Sequence, residues 1–306
     1  MQIFDFPYFG EMAAVCAALC WSFAVIIFKS ASSELSPFLI TALKNSIALI
    51  LFIIFFIIFD IPIKNNNFEI IDYLKIFISG MLGMGFGDIF FIYALSKIGA
   101  NRIAIMNSLE PAVIYCFSIT MLGTVLTMQQ LAGFIIVIIS MLIISYEKDY
   151  IDLNPQIKKR GMCLQIFAVL LSSFGIVLIK PVLDKTGGSI IIQLWVTALR
   201  LFPGFIIAWI VFLFQKNKQS LFLPLKKSKI LWQIILSSGL GTFVALSFWI
   251  IGYANIEKPP VASILGQTSV IFIMILSYYI LNEKISKLRI LSMLVAVSGV
   301  LLISIK

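Results

Sequence analysis

Hydrophobic and polar positions alternate along this chain at the scale of whole helices rather than single residues. Ten apolar runs of about twenty residues follow one another, each long enough as a helix to cross a bilayer core of roughly 30 Å. The runs occupy residues 9–30, 36–59, 73–96, 99–122, 127–146, 161–182, 189–214, 229–254, 259–281 and 286–305. The pattern predicts an all-α polytopic membrane protein with ten transmembrane helices.

The first five runs are similar to the last five in sequence and in order. The matching segments are "SFAVIIFK" at 22–29 with "SFGIVLIK" at 173–180, "TALK" at 41–44 with "TALR" at 197–200, and "SGMLG" at 79–83 with "SGLG" at 238–241. We divide the chain into a first repeat at 1–146, a polar linker at 147–160 and a second repeat at 161–306. Because each repeat has an odd number of spans, the second lies inverted relative to the first. Inverted repeats are typical of secondary transporters, whose substrate sites lie near the bilayer midplane.

Composition agrees with a membrane protein and argues against several other classes. The chain is 61% hydrophobic and 12% charged, whereas soluble domains have about 25% charged residues. Its net charge of +9 comes largely from loop residues, as membrane topology requires, so we expect no nucleic-acid partner. Histidine is absent and the four cysteines lie in or beside apolar runs, so we expect no metal and no cofactor. We expect a multi-pass protein of the cell membrane (a prokaryotic inner or plasma membrane), as a monomer or homodimer.

The two repeats resemble the drug/metabolite transporter superfamily, and in particular its EamA-type ten-helix permeases. The residues that carry the resemblance are the lysine ending the first helix of each repeat, Glu110-Pro111 in the fourth helix, and "LNE" at 281–283 after the ninth. The chain departs from the family where Thr124 replaces a glutamate, and its second repeat has Thr268 and Ser269 opposite Glu110-Pro111. The resemblance implies transport of small metabolites or drugs.

Charged residues inside the apolar runs are the first candidates for a functional site. Glu110 and Asp88 lie deep in the fourth and third runs, where insertion scales put a charge at about 2.5–3.5 kcal/mol. We interpret them as a proton or cation site, with a structural pairing to lysine as the alternative. Pro111 predicts a kink beside Glu110. Lys44 and Arg200, about one-third into their runs, are interpreted as partners of these carboxylates or as binders of a substrate carboxylate.

Uncharged polar residues extend this set. Asn107 precedes Glu110 by three positions and shares its helix face. Ser263 and Gln267 share a face of the ninth run, which is the counterpart of the fourth. We interpret these three side chains as the polar lining of a central cavity, with simple interhelical hydrogen bonding as the alternative.

The remaining candidates are aromatic or lie at helix ends. Trp21 and Tyr115 fall in the middle of their runs and are candidates to line an apolar cavity, with core or lipid packing as the alternative. Lys29 and Lys180 end their helices, and we expect them to extend to the membrane interface. Glycines crowd the third and eighth runs and predict close helix packing rather than a hinge.

The combined prediction is a secondary transporter of small metabolites such as amino acids. It would work by alternating access around a cavity between helices one, three, four, six, eight and nine, with proton coupling through Glu110 or Asp88 as a hypothesis. The alternative within transport is an uncoupled facilitator or exchanger whose carboxylates are structural. An intramembrane enzyme is disfavoured because no catalytic residues can be assigned, and a purely structural membrane protein is the other rival class.

Orientation has two opposing indications. Basic residues are concentrated in loops after odd-numbered helices, which predicts that those loops are cytoplasmic and both termini external. The resemblance instead implies cytoplasmic termini. Both orientations stay open at this point.

Overall fold

The computed structural model describes residues 7–61, 68–145, 154–281 and 286–304. Across these residues the chain is helical throughout, with short connections. In chain order the helices are α1 Phe9–Ala31, α2 Pro37–Ile58, α3 Ile70–Ile98, α4 Ala100–Asn107, α5 Glu110–Leu122, α6 Met128–Ser145, α7 Pro155–Asp184, α8 Ile190–Leu213, α9 Lys218–Phe222, α10 Ser228–Asn255, α11 Pro259–Gly266, α12 Thr268–Leu281 and α13 Lys287–Ser304. A 3₁₀ turn at Leu223–Lys226 follows α9. The predicted all-α class is therefore confirmed.

Seven segments of the described chain are long and apolar enough to cross a membrane. They are α1, α2, α3, α7, α8, α10 and the segment Pro259–Ile280 that contains α11 and most of α12. Three shorter apolar helices accompany them at Glu110–Leu122, Met128–Ser140 and Ile290–Leu302. Together these features describe an integral membrane protein that crosses the bilayer several times.

The start of α7 differs from the sequence prediction. The helix begins at Pro155, six residues before the expected boundary at residue 161. Asn154 caps it, because its side-chain oxygen accepts a hydrogen bond of 2.9 Å from the Gln156 amide. Proline at the first helical position has no N–H to leave unpaired. The cap and the proline together therefore favour a helix that includes the polar residues 155–160. Half of the predicted linker, residues 147–153, lies outside the described residues.

Both α3 and α10 contain a π-helical segment at the same place, Gly80–Gly87 and Ser238–Ala245. The first packs against α7 and α8, and the second packs against α1 and α2. Close approach explains the small residues: a Cβ atom added at Gly241 would lie 2.5 Å from the Cβ of Ala24, and one added at Gly80 would lie 2.6 Å from the Cγ of Pro203. The expected close packing is confirmed at these positions, whereas the π-helices were not predicted.

The fourth and ninth predicted helices are each divided in two. Residues 108–109 separate α4 from α5, and Gln267 separates α11 from α12. The first break agrees with the kink expected at Pro111, which takes the second position of α5. The second break was not expected, because no proline follows Gln267. Glu110 and Thr268 each begin the second half of a broken helix, which supports the alignment of the two repeats.

Contacts between the two halves occur in matched pairs. α1 packs against α10 and α12, while the corresponding α7 packs against α3 and α5. α2 packs against its counterpart α8, and α6 packs against its counterpart α13. Exchanging the halves therefore reproduces the same set of contacts, as expected for two copies of one unit related by a pseudo-two-fold axis.

The lysines that end α1 and lie near the end of α7 each bind the end of a helix in their own half. Lys29 donates a hydrogen bond of 3.1 Å to the Ser96 carbonyl, near the end of α3. Lys180, which is 4% exposed, donates to the carbonyls of Tyr253 at 2.9 Å and Ile256 at 2.8 Å, at the end of α10. The carbonyls of a neighbouring helix end and the carboxylate of Asp184, 2.8 Å away and 56% exposed, therefore bind this ammonium group, while its position at the membrane interface stays a prediction.

Candidate functional site

A cavity of about 160 Å³ lies at the centre of the bundle, between the two halves. Its wall comes from α1, α3, α7, α10 and the broken helices α4–α5 and α11–α12, with one residue from α2. Seven of the predicted site residues line it: Trp21, Lys44, Asp88, Asn107, Glu110, Ser263 and Gln267. The sequence thus located most of the polar wall, while the roles of these residues remain predictions.

Lys44 and Asp88 form an ion pair across the cavity wall, joining α2 to α3. Both residues are buried, with exposed fractions of 1% and 9%. The Lys44 ammonium also donates to the Asn45 side-chain oxygen at 3.1 Å, and Asn45 in turn donates to the Met84 carbonyl at 3.1 Å. Met84 lies in the π-helical segment, so the network fixes the ion pair to the irregular part of α3. The charge on Asp88 is therefore compensated within the protein.

Glu110 differs from Asp88 in having no such partner. It is the first residue of α5 and is partly buried at the cavity wall. No hydrogen bond or ion pair joins its carboxylate to another residue within the described ranges. The free N–H groups of a helix N-terminus favour a negative charge, so its place at the start of α5 partly offsets the cost of burial. The carboxylate is consequently free to accept a proton or a cationic group.

Arg200 is not part of the cavity wall but lies directly behind it. The side chain is 1% exposed, and its Nε donates a hydrogen bond of 2.8 Å to the Ser79 hydroxyl. Ser79 donates in turn to the Gly175 carbonyl at 2.6 Å. The guanidinium lies 5.4 Å from the centre of the Trp249 ring, a cation–π contact. Its Nη1 and Nη2 atoms are buried and have no hydrogen-bond partner in the part of the chain that the structure describes.

Amide and hydroxyl groups complete the polar wall. Asn107 accepts a hydrogen bond of 2.6 Å from the Gln165 side chain, which connects α4 to α7 across the two halves. Ser263 and Gln267 are 2% and 4% exposed, and the Gln267 side-chain oxygen has no hydrogen-bond partner among the described residues. Buried polar atoms without partners are rare in proteins, so this end of the cavity is suited to a polar ligand.

The two aromatic candidates, Trp21 and Tyr115, lie in different environments. Trp21 lines the cavity and packs against Phe91, with ring centroids 5.4 Å apart. Tyr115 does not line it and packs against Phe134 at 5.5 Å. For Tyr115 the core-packing alternative describes the observed environment, and Trp249 supplies the second indole of the wall.

Comparison with known proteins identifies the family. The sequence model described as "EamA-like transporter family" matches residues 8–146 and 159–305. The chain belongs to the EamA-like transporter family. A solved structure described as "Crystal structure of protein" superposes with a TM-score of 0.73 over 96% of this chain and 95% of that chain, at 17% identity, which shows a shared fold. No curated protein matches the sequence.

Membership of the EamA-like family confirms the predicted family and its two-repeat organisation. It is a family of transporters, so the chain is a multi-pass membrane protein of transporter type. Several elements of the site in this EamA protein were missed by the sequence interpretation, among them Gln165, Ser172, Thr242 and the Ser79 partner of Arg200. A signal for Gln165 was present, since an amide inside the apolar run 161–182 needs a partner in lipid. Nothing in the sequence indicated that Ser79 would face Arg200.

Proposed function

We propose that this EamA protein is a secondary transporter built from ten transmembrane helices in two inverted repeats. The repeats would occupy residues 1–146 and 161–306, joined by a linker at 147–160. The matched contacts between α1 and α10, and between α7 and α3, support a pseudo-two-fold relation between them. Because each repeat would have an odd number of spans, the pseudo-two-fold axis that relates them would lie within the membrane plane.

The observation that carries the proposal is the position of the cavity. It lies between the two halves, at the broken helices α4–α5 and α11–α12, and its wall contains both signs of charge. Broken helices with a polar wall at mid-membrane depth are typical of transporter substrate sites. Rocking of one repeat against the other would expose such a site to each side of the membrane in turn.

The substrate class we propose is a small metabolite such as an amino acid. Lys44, Asp88 and Glu110 provide charge, while Trp21 and neighbouring apolar residues provide the remaining wall. The protein would act in the cell membrane, as a monomer or homodimer, without a nucleic-acid partner or a cofactor.

Proton coupling is assigned to Glu110 rather than Asp88. The Asp88 carboxylate is held by Lys44, so taking up a proton there would break a buried ion pair. Glu110 has no ion-pair partner within the described ranges, so its protonation sacrifices no contact. A carboxyl group that gains and loses a proton in each cycle needs this freedom.

Transport by purified protein in liposomes tests the proposal. Candidate metabolites are first screened for thermal stabilisation of the purified protein, since ligand binding stabilises the folded state by mass action. We expect saturable uptake and counterflow of the stabilising compounds, which a channel would not give. Glu110→Gln is expected to remove the dependence of uptake on pH, measured at saturating substrate concentration. If uptake by Glu110→Gln follows pH as the parent protein does, the coupling role is wrong and the uncoupled facilitator or exchanger applies.

A further inference from the structure

Independently of the transport function proposed above, we infer that the connection between α8 and α10 binds the headgroups of anionic phospholipids. The α8–α10 connection comprises residues 214–227 and contains α9 and the 3₁₀ turn. Its lysines would bind the lipid phosphates, and its exposed apolar side chains would lie among the adjoining acyl chains. The position of this segment, its charge and its exposed apolar surface support the inference.

The α8–α10 connection is packed against the end of the bundle. The ring of Phe222 lies edge-on to that of Phe212 in α8, with ring centroids 5.4 Å apart. Leu221 and Leu225, four positions apart, are partly buried against the hydrophobic core. Because the flanking helices α8 and α10 are both long enough to cross a membrane, a connection held against their ends lies at the level of the lipid headgroups.

The charge of this part of the chain is entirely positive. Residues 214–232 contain five lysines, at 216, 218, 226, 227 and 229, and no aspartate or glutamate. All five lysines are exposed. Lys227 forms an ion pair with Glu34, whereas the other four lysines form no ion pair within the described ranges. Their charges are therefore available to an external anion.

Large apolar side chains are exposed beside these lysines. Phe214 directly follows the last residue of α8 and is 83% exposed, Leu223 is 56% exposed, and Trp232 near the start of α10 is 67% exposed. Aromatic side chains at the ends of spanning helices lie at the headgroup level of a bilayer. An anionic phospholipid offers both a phosphate and an apolar chain at this depth, whereas a water-soluble acidic protein would meet the lysines alone.

Membrane topology accounts for lysines on one side of the bilayer but does not require this arrangement. The corresponding connection of the first repeat, residues 59–69, contains one lysine, Lys64, and two acidic residues, Asp60 and Glu69. A basic segment is therefore not needed by the fold that the repeats share. In the α8–α10 connection, lysines and exposed apolar side chains share one segment that is fixed to the bundle, a combination that favours binding to anionic lipid.

Thermal unfolding of the purified protein in neutral detergent micelles tests the inference. The probes are dioleoyl-phosphatidylglycerol, dioleoyl-phosphatidylcholine and glycerol 1-phosphate. We expect phosphatidylglycerol to raise the unfolding temperature in a saturable manner, since a ligand of the folded state stabilises it by mass action. Phosphatidylcholine has the chains without the net charge, and glycerol 1-phosphate has the charge without the chains, so each should give little shift. High salt should remove the effect of phosphatidylglycerol, because it screens exposed charges.

Two double variants locate the lysines that bind. Lys216→Gln with Lys226→Gln should weaken phosphatidylglycerol binding by about tenfold or more, since each lysine near an anionic surface contributes about fivefold. The matched control is Lys159→Gln with Lys287→Gln. It removes two exposed lysines that also follow odd-numbered predicted helices, and should leave the affinity within about twofold of the parent value.

A second comparison tests the apolar contact. Phe214→Ser should weaken phosphatidylglycerol binding, because it removes an exposed ring beside the lysines. Phe59→Ser is its control, since Phe59 occupies the equivalent place after α2 and is 62% exposed, but lies in the connection that lacks the lysine cluster. Its substitution should not change the affinity for phosphatidylglycerol.

Three results would overturn the inference. Equal stabilisation by phosphatidylglycerol and phosphatidylcholine would mean that acyl chains suffice. Stabilisation by glycerol 1-phosphate at the same concentrations would indicate a site for free anions rather than a lipid surface. Equal weakening by the two lysine pairs would mean that the overall charge of the protein attracts the lipid, with no site at the α8–α10 connection. Each shift is measured from the variant's own unfolding temperature without lipid, so that a change in stability is not mistaken for a loss of binding.

Discussion

Asp72 and Lys185 form an ion pair of 2.8 Å that joins the start of α3 to the residue following α7. The corresponding places in the other half, the residue preceding α10 and the loop after α1, hold Lys227 and Glu34, which also form an ion pair. The two pairs occupy similar places but exchange their charges. The acidic residue lies at the start of α3 in the first pair, whereas a basic residue lies just before α10 in the second. Each connects the two repeats.

The first prediction contrasts these two pairs. Asp72 is 1% exposed and also accepts a hydrogen bond of 3.0 Å from the Glu69 amide at the start of α3. Side chains of Lys227 and Glu34 are 67% and 44% exposed. Replacing Glu34 with glutamine should therefore lower the free energy of unfolding by at most about 1 kcal/mol, whereas Asp72→Asn should cost more because a buried group loses its cation and weakens a helix cap.

Unfolding of the purified variants in mixed micelles measures this difference. High salt is the control, since it should reduce the small effect of Glu34→Gln further and leave most of the effect of Asp72→Asn. Equal losses from the two substitutions would show that Asp72 is not buried in the membrane-embedded protein as it is in this structure.

A second prediction concerns Lys44 and Asp88. Asp88→Asn leaves the Lys44 ammonium buried without its counter-ion and should cost about 3–5 kcal/mol in the free energy of unfolding. The double variant Lys44→Met with Asp88→Leu removes both charges and should recover most of that loss. A double-mutant cycle from Lys44→Met, Asp88→Leu and the double variant gives the coupling energy, and a value near zero would contradict the pairing.

How far the sequence predicts this site depends on which physical signal each residue carries. Depth in the membrane is readable from the apolar runs, so the sequence alone predicts that Lys44, Asp88 and Glu110 lie within membrane-spanning helices. Pro111 likewise carries a local signal for a broken helix. These features are properties of a single helix and its solvent, and sequence records them directly.

Features that need two helices to meet were not predictable. Lys180 lies at a helix end, where an interfacial position is the reasonable expectation, but the free carbonyls that bind it belong to residues 253 and 256. The π-helical segments depend on how closely α3 and α10 are approached by helices of the other half. Gly80 and Ser238 are permissive for this, but small residues alone are equally compatible with a regular helix.

A third prediction tests the close approach at the second π-helical segment. A Cβ added at Gly241 would lie 2.5 Å from the buried Cβ of Ala24, which cannot move without shifting α1. Gly241→Ala should therefore destabilise the protein by about 1–3 kcal/mol through overpacking. Gly239→Ala in the same segment meets only Leu51 at 3.9 Å and should change stability little. Equal stability of the two variants would mean that α1 and α10 are farther apart in the membrane.

The last prediction concerns the inverted arrangement itself. Glu34 and Lys185 follow the equivalent helices α1 and α7, and both side chains are exposed. If the repeats are inverted, a cysteine at residue 34 and a cysteine at residue 185 face opposite sides of the membrane. The native Cys16, Cys20, Cys116 and Cys163 are replaced first, so that a membrane-impermeant maleimide reports on a single introduced thiol.

In intact cells we expect the maleimide to label only one of the two single-cysteine variants, and both after permeabilisation. Basic residues are concentrated on the side of Lys227, so the charge distribution favours labelling of Lys185→Cys from outside. Lys227→Cys provides the internal control, because its ion pair with Glu34 requires both residues to lie on one side. Labelling of Glu34→Cys and Lys185→Cys from the same side would rule out inversion, since equivalent helix ends can share a side only if the repeats are parallel.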